Sequence, residues 1–155
     1  MRHHTLAALA FLTLTLAGGA HAAFAGDKVC ALQISASDTM QYDKKQLDVP
    51  ADCTQVELTL RHAGKVPARA MGQNWVLVRT EDAGAVAQDG RAAGLRNDYL
   101  LPNDPRVIAA THLIGGGQST TITFATAGLT KGGDYTFLCT FPGHSLLMRG
   151  AFRFG

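Results

Sequence analysis

From Val29 onward the chain alternates apolar and polar positions with period two. Val29, Ala31, Gln33 and Ser35 face one way, and Cys30, Leu32 and Ile34 the other. Val56, Leu58 and Leu60 alternate in the same way with Glu57, Thr59 and Arg61. Such alternation predicts strands with one buried face. "NWVLVRT" has few polar residues and predicts a strand covered on both faces. "RVIAATHLI", "STTITFAT", "DYTFLCT" and "GAFRF" follow, separated by turns such as Gly115-Gly116-Gly117 and Gly132-Gly133. Seven or eight short strands at this spacing predict an all-β sandwich. Residues 82–101 break the pattern. They are Ala-rich and polar, and they predict one or two short helices inserted as a flap, closed by Pro102 and Pro105.

Length and composition narrow the class. The 155 residues suffice for one domain with a sizeable core. With 46% hydrophobic and 17% charged residues, the balance is that of a globular protein. There is no basic block or stripe, which argues against nucleic acid as a partner. The N-terminal segment differs from the rest. Arg2 precedes an apolar run from Leu6 to Ala17, and Ala20-His21-Ala22 is a small-x-small cleavage signal, with Ala23-Phe24-Ala25 a second candidate. Residues 1–22 are therefore expected to be a secretory signal peptide, cleaved as late as 25, followed by a single domain over 26–155. The apolar run is shorter than the ~20 residues that cross a bilayer, so no membrane anchor is expected in the mature form. Loss of Arg2 lowers the formal net charge from +2 to about +1, leaving little long-range steering.

An exported chain with three cysteines has one left over. Cys30 and Cys53 are the natural pair. Their bridge would close a loop of about 23 residues, contributing roughly 3 kcal/mol in the chain-entropy account. Cys139 then remains in the stretch "CTFPGHSLLM", with His144 and Met148. Cys139 ends a strand on the face shared with Tyr135 and Phe137, and Phe141-Pro142-Gly143 turns the chain back. Thiolate, imidazole and thioether together suit copper over magnesium or calcium. A site of two His and one Cys with a weak axial Met is the blue-copper electron-transfer pattern.

Four segments, "MGQNWVL", "DYLLPNDPRVIA", "HLIGGG" and "CTFPGHSLLMRG", closely resemble the azurin family of bacterial blue-copper proteins, and the resemblance runs from about residue 28 to 154. It implies a Greek-key β-sandwich of the cupredoxin type with a helical flap, a single disulfide at Cys30 and Cys53, and one copper ion cycling between Cu(I) and Cu(II). It implies a periplasmic electron carrier without a small-molecule substrate, not an enzyme. Its partners would be redox proteins such as c-type cytochromes or periplasmic reductases and oxidases. Carried over by position, Cys139 and His144 are equatorial ligands, Met148 the axial thioether and Gly72 a backbone-carbonyl neighbour of the metal. Asn74 ties the ligand loops together and supports the Cys sulfur. Met71, Phe141, Pro142 and Leu147 form an apolar docking face around the exposed edge of His144.

The chain departs from the family at Gln73. The family pattern is Met-Gly-His-Asn-Trp, and here the His ligand is replaced. The candidates for the open position are the Gln73 side-chain oxygen, water, His62 or His112. Two rival functions follow from the residues. One is copper binding or buffering with a redox site impaired by Gln73. The other is a thiol enzyme with Cys139 as nucleophile and His144 as base, although no orienting third group is visible. Trp75 and His62 are expected to be interior packing residues.

Overall fold

The computed structural model describes residues 26–155. The expected signal peptide lies outside the described residues. Nine strands form two sheets, with β1 Val29–Ser37, β2 Gln41–Tyr42, β3 Gln46–Val49 and β4 Gln55–His62 first in the chain. A four-residue helix α1, Ala68–Met71, precedes β5 Val76–Arg79, and α2 spans Ala83–Ala93. β6 Val107–Ala110, β7 Ser119–Ala125, β8 Tyr135–Leu138 and β9 Arg149–Phe154 complete the order. One sheet runs β2-β1-β4-β7 and the other β3-β9-β8-β5-β6. β1 pairs with β4 in parallel, as β3 does with β9, so the chain crosses between sheets rather than meandering. This is the cupredoxin sandwich with a short helical insertion.

The alternation seen in the sequence becomes the core. Val56, Leu58, Leu60 and Ile34 point inward, where they meet Leu77, Phe137 and Phe152 from the other sheet. Trp75 is fully buried among Phe124, Phe137 and Phe152, with ring centroids 6.1–6.3 Å away. It is an interior residue, as expected. β5 is covered on both faces, as its apolar run predicts. Leu77 faces the sandwich, while Val76 and Val78 pack with Leu138 under Ala83, Val86 and Ala87 of α2. Those α2 residues recur at i, i+3 and i+4, one stripe of a helix.

Several elements are shorter than the pattern suggests. "RVIAATHLI" is a strand only over 107–110. Beyond it, Thr111 and Ile114 bond instead to Trp75 and Gln73, leaving the sheet to frame one end of the sandwich. β2 and β3 were not legible as separate strands. The disulfide is formed between Cys30 and Cys53, with Cα atoms 5.8 Å apart, and Cys139 is free and buried.

Candidate metal centre

Three loops meet at the end of the sandwich where β8 stops. Cys139 follows β8, and its N–H donates to the Met148 carbonyl at 2.9 Å, closing the 139–148 loop at its base. Within that loop His144 N–H bonds Phe141 O, and Met148 N–H bonds His144 O at 2.8 Å, which coils the segment back over the sulfur. Gly143 has φ +83°, a conformation that a side chain would strain. The second loop, 72–74, lies between α1 and β5. An added Cβ on Gly72 would come within 2.6 Å of both Ala68 O and Leu113, so only glycine lets this carbonyl approach the site. The third loop is 111–114. Gln73 N–H donates to Ile114 O at 2.9 Å and Ile114 N–H returns to Gln73 O at 2.8 Å.

Asn74 joins the first two loops and the flap. Its Oδ1 accepts Thr140 N–H at 2.9 Å, and its Nδ2 donates to Thr140 Oγ1 at 2.8 Å and Asp98 O at 2.9 Å. The Tyr42 hydroxyl donates to the Asn74 carbonyl from β2. Neither Tyr42 nor Thr140 stands out in the sequence as part of a site. Tyr42 carries only the alternation of a strand, and Thr140 reads as strand end.

Around the Cys139 sulfur, His144 Nδ1 lies at 3.6 Å, Gln73 Oε1 at 3.7 Å and Gly72 O at 3.9 Å. The Met148 side chain is fully buried in the same core cluster as Cys139. Three of the five expected positions therefore converge on the sulfur of a fourth, Cys139, and the fifth, Met148, is buried in the same cluster. Burial pushes the Cys139 thiol up to about 11, although backbone N–H groups of Asn74 and Phe141 favour its anion. Burial, with the neighbouring His62 charge, pushes His144 down to about 4. Near neutrality both groups are uncharged.

The donor chemistry fits a soft transition metal. One thiol proton cannot serve both the Gln73 amide oxygen and the Gly72 carbonyl oxygen that face it, and the His144 imidazole nitrogen faces the same sulfur. A cation at their centre would satisfy all three while the two backbone N–H groups stabilise the thiolate. Among the described residues no three His, Cys, Asp or Glu side chains cluster as a metal site. That follows from the donor types, because Gln, Met and a backbone carbonyl supply the rest.

Among the described residues neither His62 nor His112 contacts the Cys139 sulfur as His144 does. His62 is buried but its Nε2 is bound to Asp38 Oδ1 at 3.0 Å. His112 has a side chain 87% exposed and pairs with Asp98 at 2.9 Å. His144 itself is less open than the family pattern suggests, at 2% exposure. Phe141 covers it, with ring centroids 4.6 Å apart. Leu146 and Leu147 next to it are 82% and 55% exposed, while Met71, Phe141 and Pro142 are half-buried.

Comparison with known proteins agrees with this geometry. A family described as copper binding proteins, plastocyanin/azurin family, matches residues 28–154. The azurin of Bordetella pertussis is 49% identical over 124 residues, covering 80% of this chain and 83% of its own. That of Pseudomonas aeruginosa is 46% identical, covering 78% and 82%. The solved structure of an azurin from the obligate methylotroph Methylomonas sp. strain J superposes with a TM-score of 0.78 at 40% identity, over 81% of this chain and 98% of that one. The chain belongs to the plastocyanin/azurin family, whose cofactor is a copper ion and whose role is copper-mediated electron transfer.

Proposed function

We propose that this protein carries single electrons between redox proteins of the periplasm, and that the ion is held by Cys139, His144, Met148 and the Gly72 carbonyl, with Gln73 at the position of the family's other imidazole. Copper, when bound, supplies the chemistry by cycling between +1 and +2. The observation that carries the reading is the convergence of His144 Nδ1, Gln73 Oε1 and Gly72 O on one buried sulfur, at 3.6–3.9 Å. The two loops that supply these atoms are cross-linked by Asn74, and the third braces Gln73 through Ile114, so the donors are held in place before the metal arrives. Small rearrangement is what rapid electron exchange requires. The expected signal peptide over 1–22 supports export, and the apolar surround of His144 supports docking to a redox protein.

A thiol enzyme is disfavoured by the same site. Nucleophilic cysteines are exposed and have lowered pKa values. Cys139 is fully buried, its thiol is raised to about 11, and His144 is lowered to about 4, the reverse of a thiolate–imidazolium pair. Copper buffering is the second reading, favoured by Gln73 alone, because a site with one imidazole binds Cu(II) less well than one with two.

Titration of the metal-free protein with Cu(II), read by visible absorption, tests the assignment. One equivalent of copper produces an intense thiolate charge-transfer band. Cys139→Ser abolishes it while the protein remains folded. A band that survives Cys139→Ser contradicts the ligand set.

A further inference from the structure

We propose that Gln73 is itself an oxygen donor to the metal, and that the Ser37 carbonyl at the end of β1 locks its amide in the donating orientation. The claim rests on the copper-site reading above and adds the identity of the donor at the departed position.

Three observations carry it. The backbone of Gln73 has no freedom, because its N–H and C=O are both bonded to Ile114 at 2.9 and 2.8 Å, and the next carbonyl, of Asn74, accepts the Tyr42 hydroxyl. Position 73 is therefore fixed by its neighbours whatever its side chain. The side chain, at 0% exposure, is shut off from bulk solvent. Its Nε2 donates to Ser37 O at 3.3 Å. A carbonyl can only accept, so the amide end facing Ser37 must be the NH2. The planar amide then turns Oε1 the other way, to 3.7 Å from the Cys139 sulfur. The Ser37 carbonyl also accepts the Met40 N–H at 3.2 Å, and a flipped amide would set the Gln73 oxygen against that carbonyl oxygen with no proton between them, leaving the buried Gln73 oxygen without a donor.

Finally, Oε1 sits in a surplus of acceptors. Gly72 O faces the same sulfur, and one thiol proton cannot serve both oxygens. A cation resolves that surplus, and its donor set is then one thiolate, one imidazole and two oxygens, with the Met148 thioether beside them. Support of a metal ligand by a second hydrogen bond is a general device for fixing its orientation. Here the supporting group is a backbone atom, which no side-chain substitution at Ser37 removes.

The test is carbon-13 and nitrogen-15 NMR of the full mature chain, metal-free and loaded with Cu(I), which is diamagnetic. Two resonances are followed, the Gln73 side-chain carbonyl carbon and the Cys139 Cβ. Both shift on loading if Gln73 donates, and the Gln73 amide protons stay protected from solvent exchange in both forms. A Cys139 shift with an unmoved Gln73 carbonyl overturns the inference alone. If neither resonance moves, both the inference and the copper-site reading fail. As a second measurement, Gln73→Leu, which keeps the bulk and removes the oxygen, weakens copper binding about tenfold or more, the scale on which even supporting partners of metal ligands act. Unchanged affinity in that variant also overturns it.

Discussion

At Cys139 and His144, burial moves two titrating groups in opposite directions. The thiol rises from 9.0 to about 11 and the imidazole falls from 6.5 to about 4, each because its charged form loses water. Copper binding near pH 7 therefore displaces one proton, from Cys139, and none from His144. Calorimetry in buffers of different ionisation enthalpy will read one proton released, rising toward two only as the pH falls through and below about 4. The signs for the metal-free protein follow from the same shifts. Between pH 6.5 and about 4 the unfolded chain binds the His144 proton that the folded one refuses, so stability falls as pH falls. Between pH 9.0 and about 11 the unfolded chain loses the Cys139 proton that the folded one keeps, so stability falls as pH rises. Denaturant midpoints across pH should give a plateau between 6.5 and 9. At this scale the side-chain donors were legible. Cys139, His144 and Met148 carry soft-donor chemistry at short spacing, and Gly72 and Asn74 sit in a recognisable motif. The direction in which Gln73 points was not legible. It is set by the Ser37 carbonyl, and a backbone acceptor leaves no mark on the identity of the residue that carries it.

Among the elements, β1 spans the length of the sandwich and ties its two ends. Cys30 near its start is bridged to Cys53, while Ser37 at its end supports Gln73. The two positions lie about 23 Å apart at the rise of an extended strand. Replacing Cys30 and Cys53 by Ala removes a cross-link between residues 23 apart and lowers stability by about 3 kcal/mol, read as a reduced denaturant midpoint. The visible spectrum of the copper-loaded protein remains unchanged, because the bridge is remote from the metal loops. Trp75 makes the opposite case. It packs on Phe137 directly below the site, so Trp75→Ala leaves a cavity worth about 3–5 kcal/mol and loosens β5 where the 72–74 loop enters. Alternation disclosed β1, β4 and the inward face of β8. It did not disclose β2, only two residues long, because a period cannot show in so short a run. Nor did it disclose where β6 ends, because Thr111 and Ile114 look as strand-like as their neighbours. Their backbone bonds to Trp75 and Gln73 carry the antiparallel pairing irregularly past the ends of β5 and β6.

For the whole molecule, the proposed function depends on one end of the sandwich meeting another protein. Leu146 and Leu147 are exposed there, beside Phe141 and the covered edge of His144. A formal charge of only +2 over the full chain leaves contact between two copies nearly free of repulsion. Leu147→Lys places like charges face to face and slows electron self-exchange, measured by NMR line broadening in mixed oxidation states, most strongly at low salt. Its visible spectrum stays that of the parent. Unchanged self-exchange at low salt would move the electron exit elsewhere on the surface. On the proposed function this site, with glutamine in place of an imidazole, still passes electrons instead of only storing copper. Voltammetry of the copper-loaded protein tests that most directly. The expected result is a reversible one-electron wave, stable over repeated cycles, with one copper retained per chain. An irreversible wave, or loss of the ion on reoxidation, would contradict it and leave copper storage as the function.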